Sequence, residues 1–238
     1  MLKNAVVLIA VTLVAAAAAP AAAQNNAEIF VVHGIPAADV PGAPAGLPVD
    51  VSVAGACLLP NLTFGQIVGA LSVPAGTYSV AVHFPATGRC SSAAVIGPAQ
   101  IPFRAGENST VLAHLTASGG LTASKFVNNL SPTPANRARV TIQHAANAPA
   151  VDFYLTTQFG SALATRGLAT SVVNGESATV PVAGSSTQFA ITAAGATAAA
   201  YGPVGLGLQP NKAYFLYVVG SLANNSLSVI SKDVSELK

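Results

Sequence analysis

Hydrophobic and polar residues alternate with a period of two over much of the chain. In residues 76–84, Tyr78, Val80, Val82 and Phe84 share one face, while Thr77, Ser79, Ala81 and His83 share the other. Residues 48–53 set Val49, Val51 and Val53 inward and Asp50 and Ser52 outward. Residues 150–156 set Val151, Phe153 and Leu155 against Asp152, Tyr154 and Thr156. Such a period marks strands covered on one face. Turn signals separate the runs: PAG at 74–76, AGEN at 105–108, ASGG at 117–120 and QPNK at 209–212. Alanine, a strong helix former, is interleaved with Gly, Pro, Thr and Val, and no long segment repeats at helical spacing. The pattern predicts an all-β chain.

The chain also repeats itself. Residues 29–37 (IFVVHGIPA) and 47–53 (LPVDVSV) reappear as 140–149 (VTIQHAANAP) and 150–155 (AVDFYL). His33 matches His144 and Asp50 matches Asp152, with spacings of 17 and 8 residues. The 9 extra residues of the first copy are the Pro/Gly/Ala-rich stretch 38–46. Further on, 73–84 parallels 181–192, 103–115 parallels 208–220, and 121–127 parallels 227–234. Between the copies, Pro132 and Pro134 favour an extended, stiff connector. Each copy holds about seven candidate strands, at spacings that suit a sandwich. The organisation predicted is a leader at 1–23, modules at 24–131 and 137–238, and a linker at 132–136. The fold class predicted is two tandem immunoglobulin-like antiparallel β-sandwiches, with a single larger barrel as the alternative.

Lys3, the apolar run 5–19, Pro20 and the A-x-A site Ala21–Ala23 form the pattern of a signal peptide cleaved before Gln24. The run is short for a membrane span, which needs about 20 apolar residues. The stretch 228–238 carries no apolar tail. The chain is therefore expected to be secreted or periplasmic, with no span in the mature protein. In an oxidising compartment the two cysteines, Cys57 and Cys90, are expected to pair. Two cysteines alone lack the further ligands zinc needs, so no metal is expected.

Composition narrows the function classes. The chain is 52% hydrophobic and 8% charged, which excludes a disordered segment. Net charge is +2, and among ten basic residues only Arg137 and Arg139 stand close together, so nucleic acid is not an expected partner.

Gln143–Tyr154 (QHAANAPAVDFY) resembles the opening of the Domain of Unknown Function 4397 family, and 73–82 (VPAGTYSVAV) is similar to that family's middle strand. The resemblance covers nearly the whole mature chain, once per copy. The first copy departs through its insertion, and the second has Val182-Ala183-Gly184 where the first has Pro74-Ala75-Gly76. It implies an immunoglobulin-like sandwich outside the cytoplasm and no reaction.

The recurring His and Asp could in principle orient a nucleophile or bind a metal. Strand parity argues otherwise: His144 is in phase with Val140 and Ile142, while Asp152 is out of phase with Val151 and Phe153. His33, Asp50, His144 and Asp152 are therefore read as structural, each tied to nearby backbone. The chain has no G-x-S-x-G, H-E-x-x-H or phosphate-cradling glycine loop, and its eight carboxylates are scattered. No catalytic residue and no cofactor is expected. His83 and His114 stand alone and are read as surface or strand-end residues. With no Trp, the candidate contact surface is Tyr154, Tyr201, Tyr214 and Tyr217 in the second copy. The function expected is that of an exported, non-enzymatic binding, adhesion or scaffold component, its partner an unknown protein or glycan. The alternatives are an extracytoplasmic hydrolase and a structural component of an extracellular assembly.

Overall fold

A computed structural model describes residues 25–156, 168–183 and 186–236; the expected leader at 1–23 and its cleavage site lie outside the described residues. The first half contains β1 (Asn26–His33), β2 (Val49–Val53), β3 (Ala56–Leu62), β4 (Ile67–Pro74), β5 (Gly76–His83), β6 (Ala94–Phe103), β7 (Asn108–Leu115) and β8 (Leu121–Val127). The second contains β9 (Arg137–His144), β10 (Val151–Thr156), β11 (Ala169–Val172), β12 (Ser177–Ala183), β13 (Ser186–Ala193), β14 (Ala199–Gly207), β15 (Ala213–Val219) and β16 (Ser228–Asp233). The described residues are all-β apart from one 3-10 turn, Ala37–Asp39. Among the described residues each half holds eight strands rather than the seven read from the pattern. β3 and β11 are the hard ones to see: β3 contains Pro60 and Asn61, and β11 is four residues long.

The strands form four four-stranded sheets, ordered β4-β1-β7-β8, β3-β2-β5-β6, β12-β9-β15-β16 and β11-β10-β13-β14. Each strand of the second half occupies the place of the strand eight before it. The single-barrel alternative therefore fails. The expected pair of largely antiparallel sandwiches holds, with one parallel pairing in each inner sheet, β1 with β7 and β9 with β15. These partners are joined through the opposite sheet, a long connection that permits parallel pairing. Pairing also shifts one alignment by a residue. Asp50 lies opposite His83 and Asp152 opposite Thr192, so His83, not Phe84, is the counterpart of Thr192.

Three apolar layers separate the four sheets. Val49, Val51, Val82, Leu115, Ile29 and Phe103 fill the first sandwich. Val140, Ile142, Phe153, Phe189 and Leu216 fill the second, where Phe153 stacks on Phe189 at 5.9 Å. The third layer belongs to neither half. Phe30, Val32, Leu112, Phe126, Phe215, Tyr217, Val219 and Val234 pack β4-β1-β7-β8 against β12-β9-β15-β16, with Phe30 edge-on to Phe215 at 6.4 Å. All eight residues of β7 are buried, and so are all of β9 after Arg137. At Gly34 an added Cβ would stand 2.6 Å from Val219 Cγ1, so only glycine lets the halves approach this closely.

Polar contacts cross the same boundary. Asn128, held within the first half by donating to Asn108 Oδ1 at 2.8 Å, accepts across the boundary from Gln143 Nε2 at 3.2 Å, while Thr110 Oγ1 lies 3.3 Å from the Tyr217 hydroxyl. Asn174 Nδ2 donates to the carbonyls of Leu115 at 2.9 Å and Ala146 at 2.7 Å. The first copy's insertion contributes Asp39, which accepts from Asn224 Nδ2 at 2.8 Å and Ser226 Oγ at 2.6 Å. The halves are fused across a face, and the 132–136 segment is one connection among several.

Candidate functional site

His33 ends β1, and its first copy-to-copy counterpart, His144, ends β9. His33 Nε2–H donates to Leu47 O at 2.7 Å, and its Nδ1 accepts from the Ile35 N–H at 3.3 Å. His144 repeats the arrangement with Pro149 O at 3.1 Å and the Ala146 N–H at 3.4 Å. Each ring therefore pins the chain where it leaves the inner sheet for the outer one. Since Nδ1 accepts, the proton sits on Nε2, and neither nitrogen is left to serve a ligand.

Asp50 and Asp152 sit in β2 and β10, one residue in from the start of each strand. Their side chains point away from the sandwich core, yet the residues are only 3% and 4% exposed, because loops fold over them. Asp50 accepts from the Asn61 N–H at 2.9 Å and the Cys90 N–H at 2.8 Å. Asp152 accepts from the Ser171 N–H at 2.7 Å and the Gly195 N–H at 2.9 Å. All four donors have positive φ: 55° at Asn61, 52° at Cys90, 54° at Ser171 and 75° at Gly195. Three of these are non-glycine residues in a conformation that L side chains avoid. Each carboxylate thus holds two disfavoured bends with charge-assisted hydrogen bonds. Among the described residues no hydrogen bond joins either His to its Asp.

Cys57 and Cys90 are disulfide-bonded, with Cα atoms 5.6 Å apart. Asp50 and both sulfurs lie within 4.8 Å of one another. The sulfurs are bonded to each other, so neither is the thiolate a metal would require. The bridge fixes β3 to the β5–β6 loop beside the Asp50 anchor. Across a sequence separation of 33 it should contribute about 3–4 kcal/mol in the chain-entropy picture. Thermal unfolding with and without reductant should show a large drop in melting temperature. Intact mass should show the loss of two hydrogens. An unchanged melting point would mean that the β3 edge contributes little.

Burial holds the pKa of His33, His114 and His144 below the ordinary 6.5, against the raising effect of their backbone hydrogen bonds. His114 is a correction to the sequence reading. It is 1% exposed within β7, with Nδ1 on Leu115 O at 2.8 Å and Nε2 on Ser124 Oγ at 2.8 Å. A lone His in a continuous apolar strand is inside when both faces of that strand are covered. His83 does end its strand, half-buried between Ser52 Oγ and Ser92 O. Because the three folded-state values are depressed, all three rings are neutral in both states well above the ordinary 6.5 and contribute no pH dependence there. Below it the unfolded chain takes up protons first, so stability falls. The slope approaches about 1.4 kcal/mol per pH unit for each histidine until its folded value is reached. Melting temperature should therefore decline on acidification from pH 7 to 5. A flat profile would contradict the burial of these rings.

The four tyrosines do not form one patch. Tyr217 is completely buried in the layer between the halves, where burial pushes its hydroxyl up to about 12 despite the Thr110 contact. Tyr201 and Tyr214 pack against the second sandwich core, and Tyr214 accepts from the Gln209 N–H at 3.1 Å. Tyr154 is half-buried and lies on the other face of β10 from Phe153. Tyr217 was misplaced because AYFLYVV at 213–219 is apolar on both phases and gives no parity to read.

Comparison with solved structures gives a chain of the Bacillus anthracis TIE protein, 13% identical, with a TM-score of 0.23. That match takes in 82% of this chain and 33% of the other, so this chain spans about a third of its length. A Bacteroides ovatus protein provisionally assigned to cell adhesion is 13% identical, with a TM-score of 0.25, over 86% of this chain and 95% of its own. Likeness at that level carries no argument about fold or role. Comparison with curated proteins finds no match. A family match is clear: residues 27–154 fit the model of a domain of unknown function, from the second residue of β1 through β9 and into β10. With more than half its length matched, the chain belongs to the DUF4397 family.

Proposed function

We propose that the protein is an exported, non-enzymatic component of the cell envelope or extracellular space, acting as a binding, adhesion or scaffold unit. The observation that carries this reading is the engagement of its repeated polar residues. His33, His144, Asp50 and Asp152 all spend their hydrogen-bonding capacity on backbone, twice over, in equivalent places. Chemistry repeated for architecture is what a rigid display frame needs. The disulfide supports an oxidising compartment, since such bonds are rare in cytosolic proteins. The leader pattern before Gln24 supports export by the general route.

The test is expression of the tagged full chain in a bacterial host. A mature N-terminus at Gln24, an oxidised cysteine pair and recovery outside the cytoplasm are expected, with no turnover in a broad hydrolase screen. An uncleaved chain with free thiols would overturn the export reading. Hydrolysis lost in His144→Ala or Asp152→Ala at unchanged stability would overturn the non-enzymatic one.

A further inference from the structure

Arg139 is out of place. It lies in β9, on the face that packs between the halves, and is 5% exposed. Its backbone is paired, the N–H donating to Lys212 O at 2.9 Å. Its side chain makes no hydrogen bond or ion pair with any described residue, and Nε and Nη1 are sealed from solvent without an acceptor. A buried charge left unpaired is among the most costly features a fold can carry. Among the described residues, the other charged side chains buried to this degree, Asp50 and Asp152, each accept an N–H at both carboxylate oxygens.

Beside Arg139 is a cleft of about 450 Å³ at the junction of the halves. Its wall includes the connector residues Ser131 and Thr133, Asn211 from the β14–β15 turn, and Ser235 beyond β16. The lining thus holds one guanidinium, three hydroxyls and a carboxamide. The Ser235 hydroxyl already donates to the Asp233 carboxylate behind the wall and accepts from the Ala213 N–H at 3.0 Å, so the Ser131 and Thr133 hydroxyls and the Asn211 amide N–H are the groups left to a ligand. The guanidinium offers a planar edge of donors that matches an oxyanion in bidentate fashion. Nε and Nη1 are closed off from solvent as the side chain lies, so an oxyanion reaches them only with a turn about the terminal torsions of Arg139, and Ser131, Thr133 and Asn211 are the neighbouring donors on the wall.

We propose that this cleft is an oxyanion-binding site, in which Arg139 receives the carboxylate, phosphate or sulfate group of an anionic ligand. The proposal deepens the binding reading above, and the two can fail separately: the site is tested on purified protein, export in the cell. The connector, with Leu130 just before it, and the second half build it. The shared chemistry is an oxyanion; its source is a sugar acid or a phosphorylated or sulfated group.

The experiment follows the Arg139 Nε–H resonance of the full mature chain by NMR, assigned by its loss in Arg139→Lys. Inorganic phosphate, sulfate and glucuronate are titrated separately against sodium chloride at matched ionic strength. Saturable movement with at least one oxyanion, at a Kd of about 1 mM or tighter, and none with chloride, is expected. Phosphate or sulfate alone would identify a tetrahedral ligand group, and glucuronate alone a carboxylate. Arg139→Met should weaken that binding at least about tenfold. Without added oxyanion it should melt no lower than the parent, because it removes an uncompensated charge. No movement with any oxyanion would overturn the proposal. So would an Arg139→Met protein that melts well below its parent in oxyanion-free buffer, since the guanidinium would then already have its partner. The wild-type titration decides the matter even if the variant fails to fold.

Discussion

Residues 25–131 produced alone are expected not to remain a stable monomer, and the same holds for residues 137–238. Separation strips the partner from Phe30, Val32, Leu112 and Phe126 on one side and from Phe215, Tyr217, Val219 and Val234 on the other. Burying a large apolar side chain is worth about 1.5–3 kcal/mol. Several such losses per half approach the whole stability of a domain, about 5–15 kcal/mol. They also leave Gln143 and Asn128 without their cross-boundary bond. Light scattering should show each half self-associating or precipitating, and mixing the two should restore a 1:1 complex with a higher melting temperature. A half that stays monomeric and melts within a few degrees of the full chain would refute a shared core.

Asp152→Ala and Asp50→Ala are the second large effect. Each removes two charge-assisted acceptors and leaves two N–H groups at positive φ without their carboxylate partner. Hydrogen bonds to charged groups are worth about 1.5–3 kcal/mol each, so a loss of about 3–5 kcal/mol is expected at each site. The consequences should differ in kind. The Asp50 anchor shares Cys90 with the disulfide, so its loop stays tethered when the carboxylate is gone. Asp152 has no such second tie among the described residues. Hydrogen exchange should therefore rise more sharply around Ser171 and Gly195 in Asp152→Ala than around Asn61 and Cys90 in Asp50→Ala. Calorimetric losses below about 1 kcal/mol at both positions would mean water replaces the carboxylates and they do not hold the bends.

The outer strands were legible because only one of their faces is dry. β5 and β10 carry a clean two-residue period, and the repeat located their counterparts. The inner strands were harder to read for the opposite reason. IFVV in β1, VLAHL in β7 and YFLYVV in β15 are apolar in both phases, the mark of strands covered on both faces. That signal could have revealed the face-to-face union of the halves, together with the burial of Tyr217 and His114. Asp50 and Asp152 were placed on the correct face, but parity does not report that loops will fold over that face. Arg139 left no trace: one basic residue in the alternation RARVTIQH reads as an ordinary outward position, and only the facing sheet turns outward into inward.

The layer order fixes what the molecule can do with two similar outer surfaces. The sheets β3-β2-β5-β6 and β11-β10-β13-β14 are the first and last layers, so their exposed faces look in opposite directions. Two recognition faces on one flexible string can engage a single flat surface together and gain avidity from their high effective concentration. Faces fixed back to back cannot. Any determinant carried by both outer sheets would join two separate bodies, one on each side. For the binding or scaffold role proposed above, that arrangement would hold its two partners a few sheet thicknesses apart, with sheets about 10 Å apart.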